Sequence, residues 1–126
     1  MATNFRVPSG VREEALLGRS LHVKHGYGGG ERTMQINRLL VSNRRVGLKT
    51  AISVYKYYAR HAPVDPKGEN FDNRKRPSKG YIMWKLMGGD AGQQWARKLR
   101  RGTRSEIQKS INRFRQIRQL VNDGMV

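Results

Sequence analysis

The chain has 126 residues and carries 26 Lys and Arg against nine Asp and Glu, a formal net charge of +17 at neutral pH. A compact domain so charged repels itself, and a polyanion relieves the repulsion while releasing its condensed counterions, so nucleic acid is the first partner to consider. With 37% hydrophobic residues and no cysteine, the composition fits one modest core and excludes disulfides, Cys-based zinc sites and thiol catalysis.

No apolar run approaches the ~20 residues of a spanning helix. Met1 to Pro8, with one Arg and no hydrophobic run, does not read as a secretory signal. The expectation is a soluble intracellular protein, or a component of a particle assembled inside a cell. The cations run through the whole chain: four up to Lys24, seven from Arg32 to Arg60, six from Lys67 to Lys85 and nine from Arg97 to Arg118. A detachable basic tail would gather them at one end, so the folded body itself must be positive.

Ser9 stands where it can cap a first helix over about Val11–Lys24, with Val11, Ala15, Leu17 and Leu21 on a loose apolar face and His25-Gly26 as the stop. Tyr27 to Gly30 reads as a helix–helix connection, because it lacks the Lys-Ser/Thr of a phosphate-binding loop. A second helix is expected over Glu31–Ser42, where Met34, Ile36, Leu39 and Leu40 repeat imperfectly, followed by a turn at Asn43-Arg44-Arg45. Leu48, Ala51, Ile52, Tyr55, Tyr58 and Ala59 then fall at i, i+3, i+4, i+7, i+10 and i+11, the strongest helical pattern in the chain. Gly47 caps its start and His61-Ala62-Pro63 stops it; Tyr55 and Tyr58 are expected inward and Tyr57 exposed. Two helices with a short turn, and Arg44, Arg45, Lys49 and Lys56 around the second, resemble a helix-turn-helix or a plain αα-hairpin with a solvated basic face.

Val64 to Lys79 is polar and turn-rich and contains the Arg74-Lys75-Arg76-Pro77 run, whose cations can contact phosphates or simply face water. Ser78 can cap a short helix over Lys79–Met87, ended by Gly88-Gly89. Asp90 with Gln93 makes a capping-box pattern for the next helix, whose apolar side is Ala91, Trp95, Ala96 and Leu99. Gly102 is expected to break that helix, and Thr103 with Glu106 to start another that runs to about Asn122. Ile107, Ile111, Phe114, Ile117 and Val121 form its stripe, with Lys109 and Arg113 on one flank, Arg104 and Arg115 on the other, and Arg118 inside the apolar face. A lone buried cation is costly, so Arg118 must snorkel, pair, or meet another molecule's anion.

No convincing alternating strand is present. The sequence therefore reads as all-α: a small bundle of about five to six helices, with a compact helical domain over 1–102 and a basic amphipathic C-terminal helix over 103–126. His22 and His25 stand three apart, but zinc needs further ligands and the sequence signposts none. Asp65, Glu69 and Asp72, near His61 and Asn70, can in principle bind Mg²⁺ for nuclease chemistry, although Asp and Asn in such loops more often make turns. Trp84 and Trp95 are expected in the core. No metal or cofactor is called for.

The pattern Arg60-His61, Asp65, Lys67-Gly68-Glu69, Phe71, Pro77-Ser78-Lys79-Gly80, Ile82, Trp84, Leu86, Gly88-Gly89-Asp90, Gly92, Trp95-Ala96 resembles a small helical domain of bacteriophage and other viral proteins. That domain occurs alone or attached to virion and prohead-related polypeptides. The resemblance implies a viral setting, in virion and host cytoplasm, and no catalytic activity. Met87 departs from it, standing where an aromatic usually precedes Gly-Gly. The basic helix after Thr103 lies outside it.

Together these readings point to a non-enzymatic, nucleic-acid-associated protein, DNA before RNA, that serves as a small virion or genome-packaging component. The residues expected on phosphates are Arg44, Arg45, Lys49, Arg74, Lys75, Arg76, Arg97, Arg100, Arg101, Arg104, Lys109, Arg113 and Arg115. The alternative is a capsid or portal assembly protein that docks on acidic protein through Ile107, Ile111, Phe114, Ile117 and Arg118. A Mg²⁺-dependent nuclease and a ribosomal-type RNA-binding protein are further readings.

Overall fold

The computed structural model describes residues 4–61 and 74–124. In chain order these form β1 (Asn4–Arg6), α1 (Ser9–His25), α2 (Glu31–Ser42), β2 (Arg45–Gly47), α3 (Leu48–His61), α4 (Lys79–Leu86) and α5 (Gly89–Asn122). The protein is a small all-α domain carrying one two-stranded ribbon. In that ribbon β1 and β2 pair antiparallel with Phe5 opposite Val46, and the Val7 amide donates to the Arg44 carbonyl beyond its end at 2.8 Å. Strands of three residues place a single side chain inward each, too few to show alternation in sequence. The turn expected between α2 and α3 is thus partly strand, and the two helices scarcely touch.

Helix starts and stops follow backbone geometry more than side-chain caps. Ser9 is already helical; Pro8 is the N-cap of α1 and makes no side-chain cap bond. At the other end Gly26, in the left-handed conformation, closes the helix by donating to the His22 carbonyl. Ser78 does cap α4, its Oγ accepting from the Tyr81 amide at 3.0 Å. Asp90 caps nothing: α5 begins at Gly89 with Gly88 as N-cap, and the Asp90 carboxylate accepts the Trp84 indole N–H at 2.9 Å. Gly88 and Gly89 take φ of 123° and 61°, conformations that make the reversal between α4 and α5 and that side chains with a Cβ resist.

Gly102 does not break the last helix. α5 runs unbroken for 34 residues, and Gly102 is there for packing, since a Cβ would stand 2.8 Å from the Phe5 ring. Thr103 is buried inside this helix, its hydroxyl donating to the Arg100 carbonyl. The boundary drawn at 102/103 therefore falls mid-helix.

The main core joins Val11 and Ala15 of α1, Leu40 of α2, Val54 and Tyr58 of α3, Trp84, and Trp95 and Leu99 of α5. A second cluster holds Leu21, Tyr81, Ile82 and Leu86. Both tryptophans are core residues, as their spacing predicts. Tyr57, expected exposed, is buried; it sits edge-on to Tyr58, with ring centroids 5.0 Å apart. The buried face of α3 is Ala51, Val54, Tyr57 and Tyr58, turned from the expected one: Leu48, Ile52 and Tyr55 are only partly buried and Ala59 is exposed, while the Tyr57 ring packs toward Trp84.

The imperfect repeat of α2 also has a cause. Its buried face is Ile36, Asn37 and Leu40, so a polar residue occupies a core position. The Asn37 side chain is wholly buried and donates to the carbonyls of Ala15 at 3.0 Å and Leu86 at 2.9 Å, while its Oδ1 accepts from Arg19. Replacing Asn37 by Ala removes these bonds and leaves the Leu86 carbonyl unpaired in the interior. Asn37→Ala should lower unfolding free energy by roughly 2–3 kcal/mol in urea melts; an unchanged midpoint would show that water readily replaces the amide.

Candidate nucleic-acid interface

Every described Lys and Arg except Arg12, Arg19 and Lys85 is exposed. Several of the acids are occupied within the fold. Glu14 pairs with the partly buried Lys85 at 2.9 Å, Glu106 pairs with Lys109, and Asp90 holds Trp84. The positive potential of the surface is correspondingly little offset.

The unbroken course of α5 decides how its cations are arranged. At 100° per residue, Arg97, Arg100, Arg101 and Arg104 share one flank, and five turns after Arg97 the same flank carries Arg115 and then Arg118. The row extends about 30 Å at 1.5 Å per residue, all of it exposed. Lys109 and Arg113 stand on the opposite flank. A helix broken at Gly102 would not have aligned the two halves, which is why the sequence shows the two sets of arginines and not the row.

The remaining expected contacts lie elsewhere. Arg44 and Arg45 flank and begin β2, where the Arg45 Nε donates to Asn4 Oδ1. Lys49 is in the first turn of α3, and Arg74, Lys75 and Arg76 lead exposed into α4. All of these stand on elements other than α5.

Between α2 and α3 lies a cleft of about 520 Å³ lined by Arg32, Lys49, Lys56 and Arg60 over an apolar floor that includes Ile36, Tyr57 and Met87. Arg32 and Arg60 are additions to the set expected from sequence. The signal was present: Lys49, Ser53, Lys56 and Arg60 recur at i, i+4, i+7 and i+11, one flank of α3.

The apolar stripe of α5 is also visible. Ala96, Leu99 and Thr103 bury one face of the helix against the body, and that same face continues outward as Ile107, Phe114, Ile117 and Val121. There Phe114 is 65% and Ile117 58% exposed. Ile111 and Arg118 lie at its edge, also exposed.

Among the described residues no group of three or more His, Cys, Asp or Glu is placed to hold a metal. Asp65, Glu69, Asn70 and Asp72 lie outside the described residues, as do the motif residues Lys67, Gly68 and Phe71. His22 Nδ1 meets the Gly28 carbonyl, and His61 stacks on Tyr57 at 4.6 Å. Among the described residues no helix is long and apolar enough to cross a membrane. In comparisons with known proteins, the chain matches no family model, no curated protein and no solved structure.

Burial holds the Tyr57 hydroxyl well above the ordinary phenol value of 10.0. Burial does the same for Tyr58, with Tyr57, Asp90 and Glu14 adding in the same direction. A raised folded-state pKa means the neutral phenol stabilises the fold. That contribution is complete below the unfolded value of about 10 and is lost as pH climbs from there toward the folded values. Thermal melts should therefore show the midpoint falling above about pH 10, and Tyr57→Phe, which has no proton to lose, should flatten the fall. Identical alkaline profiles for the two proteins would contradict it.

Proposed function

We propose that the protein is a non-enzymatic nucleic-acid-binding protein that grips the phosphate backbone without strong sequence preference. The observation that carries this reading is the row of arginines on α5, six residues on one flank of an uninterrupted helix. Guanidinium groups make bidentate, charge-assisted bonds to phosphate oxygens. A straight row about 30 Å long spans roughly nine base pairs at 3.4 Å each. A double helix, of DNA or RNA, keeps a regular backbone over that length. The wider setting, a small virion or genome-packaging component, rests on the motif likeness between Arg60 and Ala96 and on the charge.

Binding of this kind is governed by counterion release. The logarithm of the association constant should fall linearly with the logarithm of salt, by about 0.9 per phosphate neutralised on duplex DNA. Replacing Arg97, Arg104 and Arg115 together by Gln should reduce that slope by roughly two to three, about equally for unrelated DNA sequences. An unaltered slope in anisotropy titrations would remove the α5 row from the interface.

The exposed stripe favours a second reading, assembly on an acidic protein such as a capsid or portal. An amphipathic face of this kind is a common docking element. Ile111→Ser with Phe114→Ser keeps every cation. On this reading the pair abolishes incorporation into particles while duplex affinity stays within about twofold; on the first reading alone incorporation persists.

A further inference from the structure

We infer that the cleft between α2 and α3 is a nucleotide site, which receives one unstacked nucleotide of a single strand. The inference rests on the nucleic-acid reading above and adds to it a distinct place and a distinct form of ligand.

The two halves of the cleft ask for two chemistries. Its rim is cationic on both sides: Arg32 from α2 faces Lys49, Lys56 and Arg60 from α3, with no carboxylate among the described residues of the lining. Arg32 is held in place, its guanidinium donating to Ser53 Oγ at 3.0 Å, and Ser53 in turn donates to the Lys49 carbonyl at 3.1 Å. A guanidinium fixed in this way loses less conformational freedom when it meets an anion. The floor is apolar, with Ile36, Leu48, Ile52 and Met87 beside the Tyr57 ring.

A ligand that matches both must carry more than one negative charge and a flat, weakly polar body. A nucleotide within a strand does: the phosphodiesters on its two sides suit the rim and its base suits the floor. The volume of about 520 Å³ lies within the range of small-ligand pockets, roughly 300–1,000 Å³. A base paired in a duplex is stacked on both faces and cannot descend to the floor, so the occupant comes from a strand end or an unpaired stretch. The cleft exists because β2 separates α2 from α3: a tight turn would have packed the two helices together and closed it. It is distinct from the α5 row, where the hollow beside Arg97 and Arg100, lined by Tyr55, Tyr58 and Ala96, holds only about 180 Å³, below the range of small-ligand pockets.

The test compares a fluorescent single-stranded dodecamer with the duplex of the same sequence, by anisotropy, on the full chain. Ile52→Trp fills the floor and leaves every charge in place. It should weaken single-strand binding about tenfold, the scale of one lost base contact, and leave duplex binding unchanged. Lys56→Ala with Arg60→Ala should likewise weaken the single strand more than the duplex. Circular dichroism melts establish that each variant is folded. Equal effects on the two forms, or none on either with the wild-type affinities intact, overturn the nucleotide site while the backbone reading stands. Failure of wild-type protein to bind either form at low salt overturns the backbone reading itself.

Discussion

The fold depends on a single buried amide. Asn37 is inaccessible to solvent and spans α1 and α4, donating to the Ala15 carbonyl on one and the Leu86 carbonyl on the other. The second of these is the carbonyl of the last residue of α4, which has no helical partner and must find one elsewhere. The side chain of α2 therefore completes the end of α4, and fixes how α1, α2 and α4 sit together. The contact is close because Gly18 of α1 lies against the backbone of Leu86, where a Cβ would stand 2.3 Å from the amide nitrogen. With the end of α4 held on two sides, the direction of the Gly88-Gly89 reversal is set, and with it the direction of α5. Tyr58 secures that reversal by donating to the Gly89 carbonyl at 2.8 Å. A fully bonded polar group in a core specifies one arrangement more sharply than apolar packing of the same volume.

Once launched, α5 keeps one face throughout, and the body covers only the first part of it. Beyond Thr103 the helix is held by its own backbone and by local pairs such as Glu106 with Lys109, Gln108 with Asn112 and Gln119 with Asp123. Each contributes only about 0.2–0.5 kcal/mol. No new nucleus is needed, because the buried turns supply it. Against this stand like charges in the same stretch, Lys109 with Arg113 at i, i+4 and Arg115 with Arg118 at i, i+3, which repel by amounts similar to what the local pairs contribute. The outer helix is thus near balance in isolation. A polyanion along the arginine flank converts the repulsive row into a favourable one and stabilises the helix as it binds. On the proposed reading, binding and helix order reinforce each other.

Helix positions were largely legible in the sequence; what they pack against was not. The spans of α2 and α3 follow from apolar spacing, and the capping of α4 follows from Ser78. The misreadings share a cause. Gly102 signals a helix end when seen alone, yet here it makes room for Phe5, nearly a hundred residues away in the chain. Thr103 resembles a cap and is instead a buried residue with its hydroxyl bonded one turn back. Tyr57 interrupts no apolar pattern, but three aromatic neighbours enclose it. Asn37 looks like a flaw in the repeat of α2 and is its most constrained residue. In each case a contact distant in sequence outweighs a local preference. Arg32 and Arg60 stayed hidden for a related reason: a cleft between two helices is defined by what keeps them apart, and β2 is too short to announce itself.

Most described residues of the motif between Arg60 and Ala96 have structural duties. Ser78 caps α4, while Ile82, Trp84 and Leu86 fill the core. Gly88 and Gly89 reverse the chain and Asp90 holds Trp84. Gly92 admits the Tyr58 hydroxyl, which a Cβ would approach to 2.4 Å. The residues left for chemistry are the exposed cations, the arginines of α5 and the rim of the α2–α3 cleft, to which the motif itself contributes Arg60. Both are sets of cations on helices, and they differ in form: one extended along α5, the other concave with an apolar floor. On the proposed reading a regular backbone fits the first and a nucleotide freed from its stack fits the second, so a duplex that ends or opens offers a ligand of the right form to each.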